Sequence, residues 1–250
     1  MSTGVQTRIG SWVWHEHHSR EAKKAQTFYK ELLGWAVEPW KPGGDVDYTI
    51  IKSGEQMHGG FMAAQGNEPS HWIGHVLVDD VDETARHAEA AGGKVLAGPM
   101  EMPEVGRFAA IADPQGAVFS IFASAGEGPP SEGVFVWDEL HTSDPGAAKS
   151  FYGEVLGWSA SDSDMGGMTY TIFKRKGDRD VGGCMAIQEG MQAPPHWLVY
   201  IATQDIDKTT ARAKELGATI FVEPSEIPNM GRFSVVQDTA GATFGLFQAA

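Results

Sequence analysis

The sequence has almost no cysteine. Among its 250 residues only Cys184 carries a thiol. One cysteine makes no internal disulfide, and a thiolate metal cluster needs several. Cys184 therefore reads as a small core residue, and the chain suits a reducing interior. Basic charge is also short: 19 Lys and Arg stand against 33 Asp and Glu, a net charge of −14. With no basic run to gather phosphates, a nucleic-acid partner is not expected. No apolar run approaches the ~18 residues of a membrane span. The start, MSTGVQTRIG, lacks the apolar stretch of a secretory signal. The expectation is a cytoplasmic protein, monomer or homodimer, with neither membrane nor nucleic acid as partner. What the chain does have is 42% hydrophobic and 21% charged residues, enough apolar material for one or two ordinary cores.

A long internal repeat organises that material. At one constant offset Trp14 meets Trp137, Glu16 meets Glu139, and His18 meets His141. Phe28-Tyr29 meets Phe151-Tyr152, Gly34-Trp35 meets Gly157-Trp158, and Gly59-Gly60 meets Gly182-Gly183. Two residues of slippage later, His71-Trp72 meets His196-Trp197 and Gly106-Arg107-Phe108 meets Gly231-Arg232-Phe233. The copies close on Asp113, Gly116, Phe119, Phe122 and on Asp238, Gly241, Phe244, Phe247. This divides the chain into residues 1–125 and 133–250, with the Gly- and Pro-rich 126–132 as linker.

Each copy repeats a second time in its pattern. Residues 11–18 alternate as a strand, and Ala22, Ala25, Phe28, Tyr29, Leu32 and Leu33 then fall at helical spacing. Gly34 suits a left-handed helix stop. Three short strands fill 35–64, broken at Pro39, Pro42-Gly43-Gly44 and Ser53-Gly54. A strand at 72–78, a helix at 81–91 and strands at 94–98, 107–112 and 117–122 repeat the order. The chain is thus α+β, four βαβββ modules in all.

The ordered motifs Phe28-Tyr29…Leu33-Gly34-Trp35, Val78-Asp79-Asp80-Val81-Asp82 and Asp113-Pro114-Gln115-Gly116 resemble the vicinal oxygen chelate superfamily. That superfamily includes glyoxalase I, extradiol dioxygenases and bleomycin-resistance proteins. The resemblance covers nearly the whole chain. It implies two tandem glyoxalase-like domains whose curved sheets enclose clefts, either within each half or between modules of opposite halves, with helices outside. Metal-binding members place their ligands on the first and fourth strands of paired modules. Those positions hold Trp14, Ile73, Trp137 and Leu198 here, with Ser120, Gly245 and, near them, Gly60 and Gly183. None of these is a donor for a hard or borderline cation, so no metal is assigned there.

Strand alternation sorts the remaining candidates. If Trp14 faces a cleft, so do Glu16 and His18, while His15 and His17 face away. Trp137, Glu139 and His141 follow in the second copy. His71 shares a side with His75, and His196 with Tyr200; Phe122 and Phe247 sit on the last strands. Glu16 with His18, and Glu139 with His141, are the acid–imidazole pairs present in both copies, fit to serve as general base and acid. Trp14, His71, His75, Phe122, Trp137, His196, Tyr200 and Phe247 are the expected ligand-lining residues. Seven of the nine histidines lie in the first copy. Glu16, His18, His71 and His75 are donors from which a displaced Zn, Fe or Ni site could be assembled. Tyr48 and Tyr170 recur, as core or as hydroxyl donors; Arg107 and Arg232 recur, as anion clamps or surface ion pairs. Met100, Met102, Met165 and Met168 read as gap fillers.

Two functions follow. The first is binding of a small aromatic or hydrophobic molecule by a Trp- and Phe-lined site without the usual metal ligands. The alternative is a lyase, isomerase or oxygenase acting through Glu–His pairs or a displaced divalent metal.

Overall fold

A computed structural model describes residues 8–41, 48–126, 133–191 and 193–250. The Pro42-Gly43-Gly44 break and all of the expected linker except Gly126 lie outside the described residues. The first copy runs β1 (Trp12–Ser19), α1 (Ala22–Leu33), β2 (Ala36–Trp40), β3 (Tyr48–Ser53), β4 (Gln56–Ala63), β5 (His71–Leu77), α2 (Val81–Ala90), β6 (Lys94–Met102), β7 (Gly106–Ala112) and β8 (Val118–Ser124). The second runs β9 (Phe135–Thr142), α3 (Pro145–Leu156), β10 (Ser159–Asp164), β11 (Thr169–Arg175), β12 (Arg179–Ala186), β13 (His196–Ala202), α4 (Ile206–Glu215), β14 (Thr219–Ile227), β15 (Gly231–Gln237) and β16 (Thr243–Ala249). Strand, helix, three strands thus recurs four times, as the α+β expectation requires.

Each copy forms one open eight-stranded sheet, in the orders β2-β3-β4-β1-β5-β8-β7-β6 and β10-β11-β12-β9-β13-β16-β15-β14. Within a module the later strands run antiparallel, and the last returns parallel to the first, as β4 does to β1 and β12 to β9. The helices start and stop on local chemistry. Asp80, Asp144 and Asp205 each accept a backbone N–H three residues on, and Pro145 occupies the first turn of α3. Gly34 and Gly157, at φ 69° and 67°, end α1 and α3 in the left-handed conformation that glycine adopts without strain. Strand β6 passes the expected end at residue 98, through Pro99, and runs to Met102. It lies at a sheet edge and carries register shifts there, where proline is tolerated. Met100 and Met165 are exposed rather than gap-filling, because one sits on that edge and the other in the turn before β11.

The described residues pack into two compact units. One gathers those within Met1–Trp14, Gly74–Ser131 and Trp137–Trp197; the other those within His15–Ile73, Glu132–Val136 and Leu198–Ala250. Each unit draws a module from each sequence copy. In the first, α2 meets α3, and Ala85, Ala88, Phe119, Phe151, Tyr152, Trp158 and Trp197 share a core. In the second, α1 meets α4 over Ala25, Phe28, Tyr29, Trp35, Trp72, Ala213 and Phe244. Cys184 is buried in the first core, as expected.

A hydrogen-bonded hub inside each core explains why the Phe-Tyr and Asp-x-x-Gly motifs travel together. Asp113 Oδ1 accepts the backbone N–H of Gln115, Gly116 and Ala117 and so closes its turn. Its Oδ2 accepts the Tyr152 hydroxyl at 3.1 Å, and that oxygen accepts Trp197 Nε1–H at 2.9 Å. Buried phenols and indoles need such partners. In the other unit Asp238 Oδ2 accepts Tyr29 at 3.0 Å, and Tyr29 accepts Trp72 at 2.8 Å. There the hub gains a fourth member, His17, whose Nε2–H reaches Asp238 at 2.7 Å; Leu140 stands at the matching place in the second copy. The difference shows in the carboxyls. Burial pushes Asp113 above the usual carboxylate range despite its hydrogen bonds. Burial pushes Asp238 the same way, but the hydrogen bond and field of His17 outweigh it and hold Asp238 below that range.

Candidate functional site

Strand β1 sorts its side chains as expected: Val13, His15, His17 and Ser19 are buried, and Trp12, Trp14, Glu16 and His18 lie on the half-buried side. The histidines facing away are structural. His15 stacks on Phe135 with ring centroids 4.3 Å apart, and His17 serves the hub. His58, also special to the first copy, is buried, and burial lowers its basicity.

In the first unit Trp137, Glu139, His141 and His196 come together, joined by Tyr170. The Tyr170 hydroxyl accepts Trp137 Nε1–H at 2.9 Å and donates to Glu139 Oε2 at 2.7 Å. His141 Nε2–H donates to Glu139 Oε1 at 2.9 Å. The His141 and His196 rings stack 5.0 Å apart and 13° from parallel, and His196 Nδ1–H is fixed on the Pro194 carbonyl at 2.8 Å. Burial, and the charge of the Glu139 carboxylate it faces, hold the Tyr170 phenol well above its ordinary range, so it remains a donor. Burial lowers His196, against the pull of the Pro194 carbonyl.

The second unit repeats the constellation with a change. Tyr48 donates to Glu16 Oε1 at 2.7 Å, and His18 Nε2 lies 3.4 Å from Glu16 Oε2. His18 also faces a second carboxylate, Glu68 Oε1, at 3.6 Å from its Nδ1. His71 Nε2 reaches the same Glu68 oxygen at 3.5 Å, and its Nδ1–H is fixed on the Pro69 carbonyl at 2.9 Å. Burial works against a charged His18, but the hydrogen bond to Glu16 and the charges of Glu16 and Glu68 outweigh it and raise its basicity. His71 is lowered, by burial first. Glu68 escaped the sequence reading because it lies in the loop before β5 and its counterpart in the second copy is Ala193.

The other expected residues fall as follows. His75 pairs across from Ser120, and Phe122 packs with Val13 and Leu77 in the first unit. Trp14 is half-buried on β1. In the second unit Tyr200 lies edge-on to Phe233, whose strand partner is Phe247. Arg107 and Arg232 are exposed ion pairs, each forked onto one carboxylate, Asp82 and Asp207.

Three of the fourth-strand positions that the superfamily resemblance reserves for metal are closed by packing. A Cβ on Gly60 would overlap the Tyr48 phenol, one on Gly183 the Tyr170 phenol, and one on Gly245 the Tyr200 ring. The hydroxyl of Ser120 is spent on the Ala109 carbonyl at 3.1 Å. Tyrosines fill the space where fourth-strand ligands would stand, so the residues present do not fit an ion there.

Residues 135–246 match the family model described as Glyoxalase/Bleomycin resistance protein/Dioxygenase superfamily, and residues 15–122 match a Glyoxalase-like domain. The chain belongs to this superfamily, as two tandem domains. It is 33% identical to "Putative glyoxylase CFP32" of Mycobacterium tuberculosis over 97% of this chain and 96% of that one. It is 31% identical to the anthracycline biosynthesis protein DnrV of Streptomyces peucetius over 96% and 93%. Among solved structures it is similar to the Mn(II)-bound glyoxalase from Novosphingobium aromaticivorans, with TM-score 0.64, 19% identity and coverage of 96% and 82%. It is also similar to the 2,2',3-trihydroxybiphenyl 1,2-dioxygenase of Sphingomonas wittichii strain RW1, with TM-score 0.66, 15% identity and coverage of 97% and 90%. These two likenesses show the fold. No described helix is long and apolar enough to cross a membrane.

Proposed function

We propose that the chain binds a small aromatic molecule and that Glu16 with His18, and Glu139 with His141, supply the polar grip on it. The observation that carries this reading is the Tyr–Glu–His constellation built twice with the same bonded groups. A carboxylate held between a phenol and an imidazole keeps lone pairs free to accept a hydrogen bond, or a proton, from a ligand hydroxyl. Trp14, Trp137, Phe122 and Phe247 supply aromatic surface of the kind small-molecule sites use. The likeness to proteins named for anthracycline biosynthesis favours a planar, hydroxylated aromatic as ligand.

The likeness to a protein named as a glyoxylase favours the second reading, an enzyme using the same residues. There the carboxylate takes a proton from the substrate and the imidazole returns it. Titration of tryptophan fluorescence with an anthracycline, followed by chromatography of the incubated ligand, tests both. Saturable binding that weakens at least about tenfold, or roughly 1.4 kcal/mol, in the double variant Glu16→Gln, Glu139→Gln supports the grip. Conversion of the ligand that the same variant abolishes selects the enzyme. Binding that the double variant leaves intact overturns the assignment of these residues.

A further inference from the structure

The first copy holds three donors around one point that lies outside the family's metal positions and adds Glu68 to His18 and His71. We propose that His18, Glu68 and His71 form a divalent-cation site of the imidazole-and-carboxylate class, taking Zn²⁺ or Ni²⁺, present in the first copy alone.

One ligand atom from each residue lies within 4.8 Å of the others, and all three side chains are half-buried, open to an entering ion. Glu68 Oε1 stands 3.6 Å from His18 Nδ1 and 3.5 Å from His71 Nε2. A tetrahedral ion with bonds near 2.0–2.1 Å spaces its ligands about 3.3 Å apart, so small side-chain shifts close the site. The proton inventory points the same way. His71 Nδ1–H is committed to the Pro69 carbonyl, which leaves the Nε2 lone pair facing Glu68. His18 Nε2–H faces Glu16, which leaves Nδ1, buried and without a hydrogen-bond partner, facing Glu68 as well. With His18 neutral, three electron pairs converge there, and a cation competes for that point with the proton that Glu16 and Glu68 favour. Each imidazole also has the outer partner, a carboxylate or a backbone carbonyl, that orients a metal-binding histidine. Two imidazoles and a carboxylate suit borderline ions such as Zn²⁺ and Ni²⁺.

The second copy is an internal control. It keeps both imidazoles, His141 and His196, and the Pro194 carbonyl on His196 Nδ1, but has Ala193 in place of Glu68. The site shares His18 with the aromatic-ligand reading but uses its other nitrogen, Nδ1 rather than the Nε2 that faces Glu16, so Glu68→Ala tests the cation site and Glu16→Gln, Glu139→Gln tests the grip.

Calorimetric titration of the chelator-stripped full chain with Zn²⁺ and with Ni²⁺ tests it. The expected result is one equivalent per chain. Glu68→Ala and His71→Ala should each weaken it by more than the roughly ten- to hundredfold that losing an outer partner brings. Glu68→Gln keeps the shape without the charge and should also weaken it, with the unfolding midpoint confirming that each variant is folded. Ala193→Glu should raise the stoichiometry to two. No saturable binding would overturn the proposal, with a proton on His18 as the occupant. So would binding that Glu68→Ala leaves unchanged. A single equivalent in Ala193→Glu would overturn the claim that Glu68 distinguishes the copies.

Discussion

His17→Leu writes the second copy's residue into the first, because Leu140 already occupies the matching place. The change removes the 2.7 Å hydrogen bond to the buried Asp238 carboxylate, worth about 1.5–3 kcal/mol for a bond to a charged group. It also removes edge contacts of the His17 ring with Trp72 and Tyr29, centroids 5.0 and 5.7 Å away. Burial of the leucine offsets most of that second loss. The net is a destabilisation of about 2 kcal/mol at neutral pH, a fall in Tm of roughly 4–8 °C for a chain of this size. The pH dependence carries the sharper test. Asp238 lies below its ordinary range in the folded chain, so its stabilisation is present above the unfolded pKa and is lost as pH falls through the folded one. Without His17, Asp238 takes the environment of Asp113, whose folded pKa is raised. Its ionised form then destabilises the fold at neutral pH, and the penalty lifts as pH falls through the raised value. The gap between variant and parent is therefore widest near neutrality and narrows below about pH 4. Urea unfolding followed by tryptophan fluorescence at both pH values measures it. An equal gap at both, or a variant as stable as the parent at neutral pH, would refute the reasoning.

Other expectations are simpler. Gly183→Ala and Gly60→Ala drive a Cβ into the Tyr170 and Tyr48 phenols. Each should swing the ring off its glutamate and lower stability by about 1–3 kcal/mol, read as a shifted denaturation midpoint; an unshifted midpoint would show that the phenols are not packed on the glycines. Cys184 is fully buried, and burial pushes its thiol up to about 12. A disulfide reagent at mildly alkaline pH should leave it unmodified until denaturant is added, whereas rapid reaction of the native chain would place it at the surface.

The fold was legible because its motifs are the hub. Asp113 and Asp238 end the copies as recognisable turns, and Tyr29 and Tyr152, which bond them, lie in the equally recognisable Phe-Tyr segments. The packing of a module from one copy with a module from the other was not legible, because either pairing leaves the same alternation along each strand. The acid–imidazole pairs were visible as a doubled i, i+2 pattern on β1 and β9. Their phenol partner was only half visible. Ile50 and Ile172 pair with Gly60 and Gly183, so Tyr48 and Tyr170 reach the bare glycines diagonally across the ladder. The glycine pairs recurring beside a recurring tyrosine were the available signal. Glu68 had none, being a loop residue with no copy.

The most direct test of the ligand assignment is a crystal structure of the full chain with an anthracycline bound. A ligand hydroxyl is expected within about 2.6–3.2 Å of the Glu16 or Glu139 carboxylate, at hydrogen-bonding distance. A ligand seated elsewhere, with both carboxylates untouched by it, would show that neither glutamate grips it.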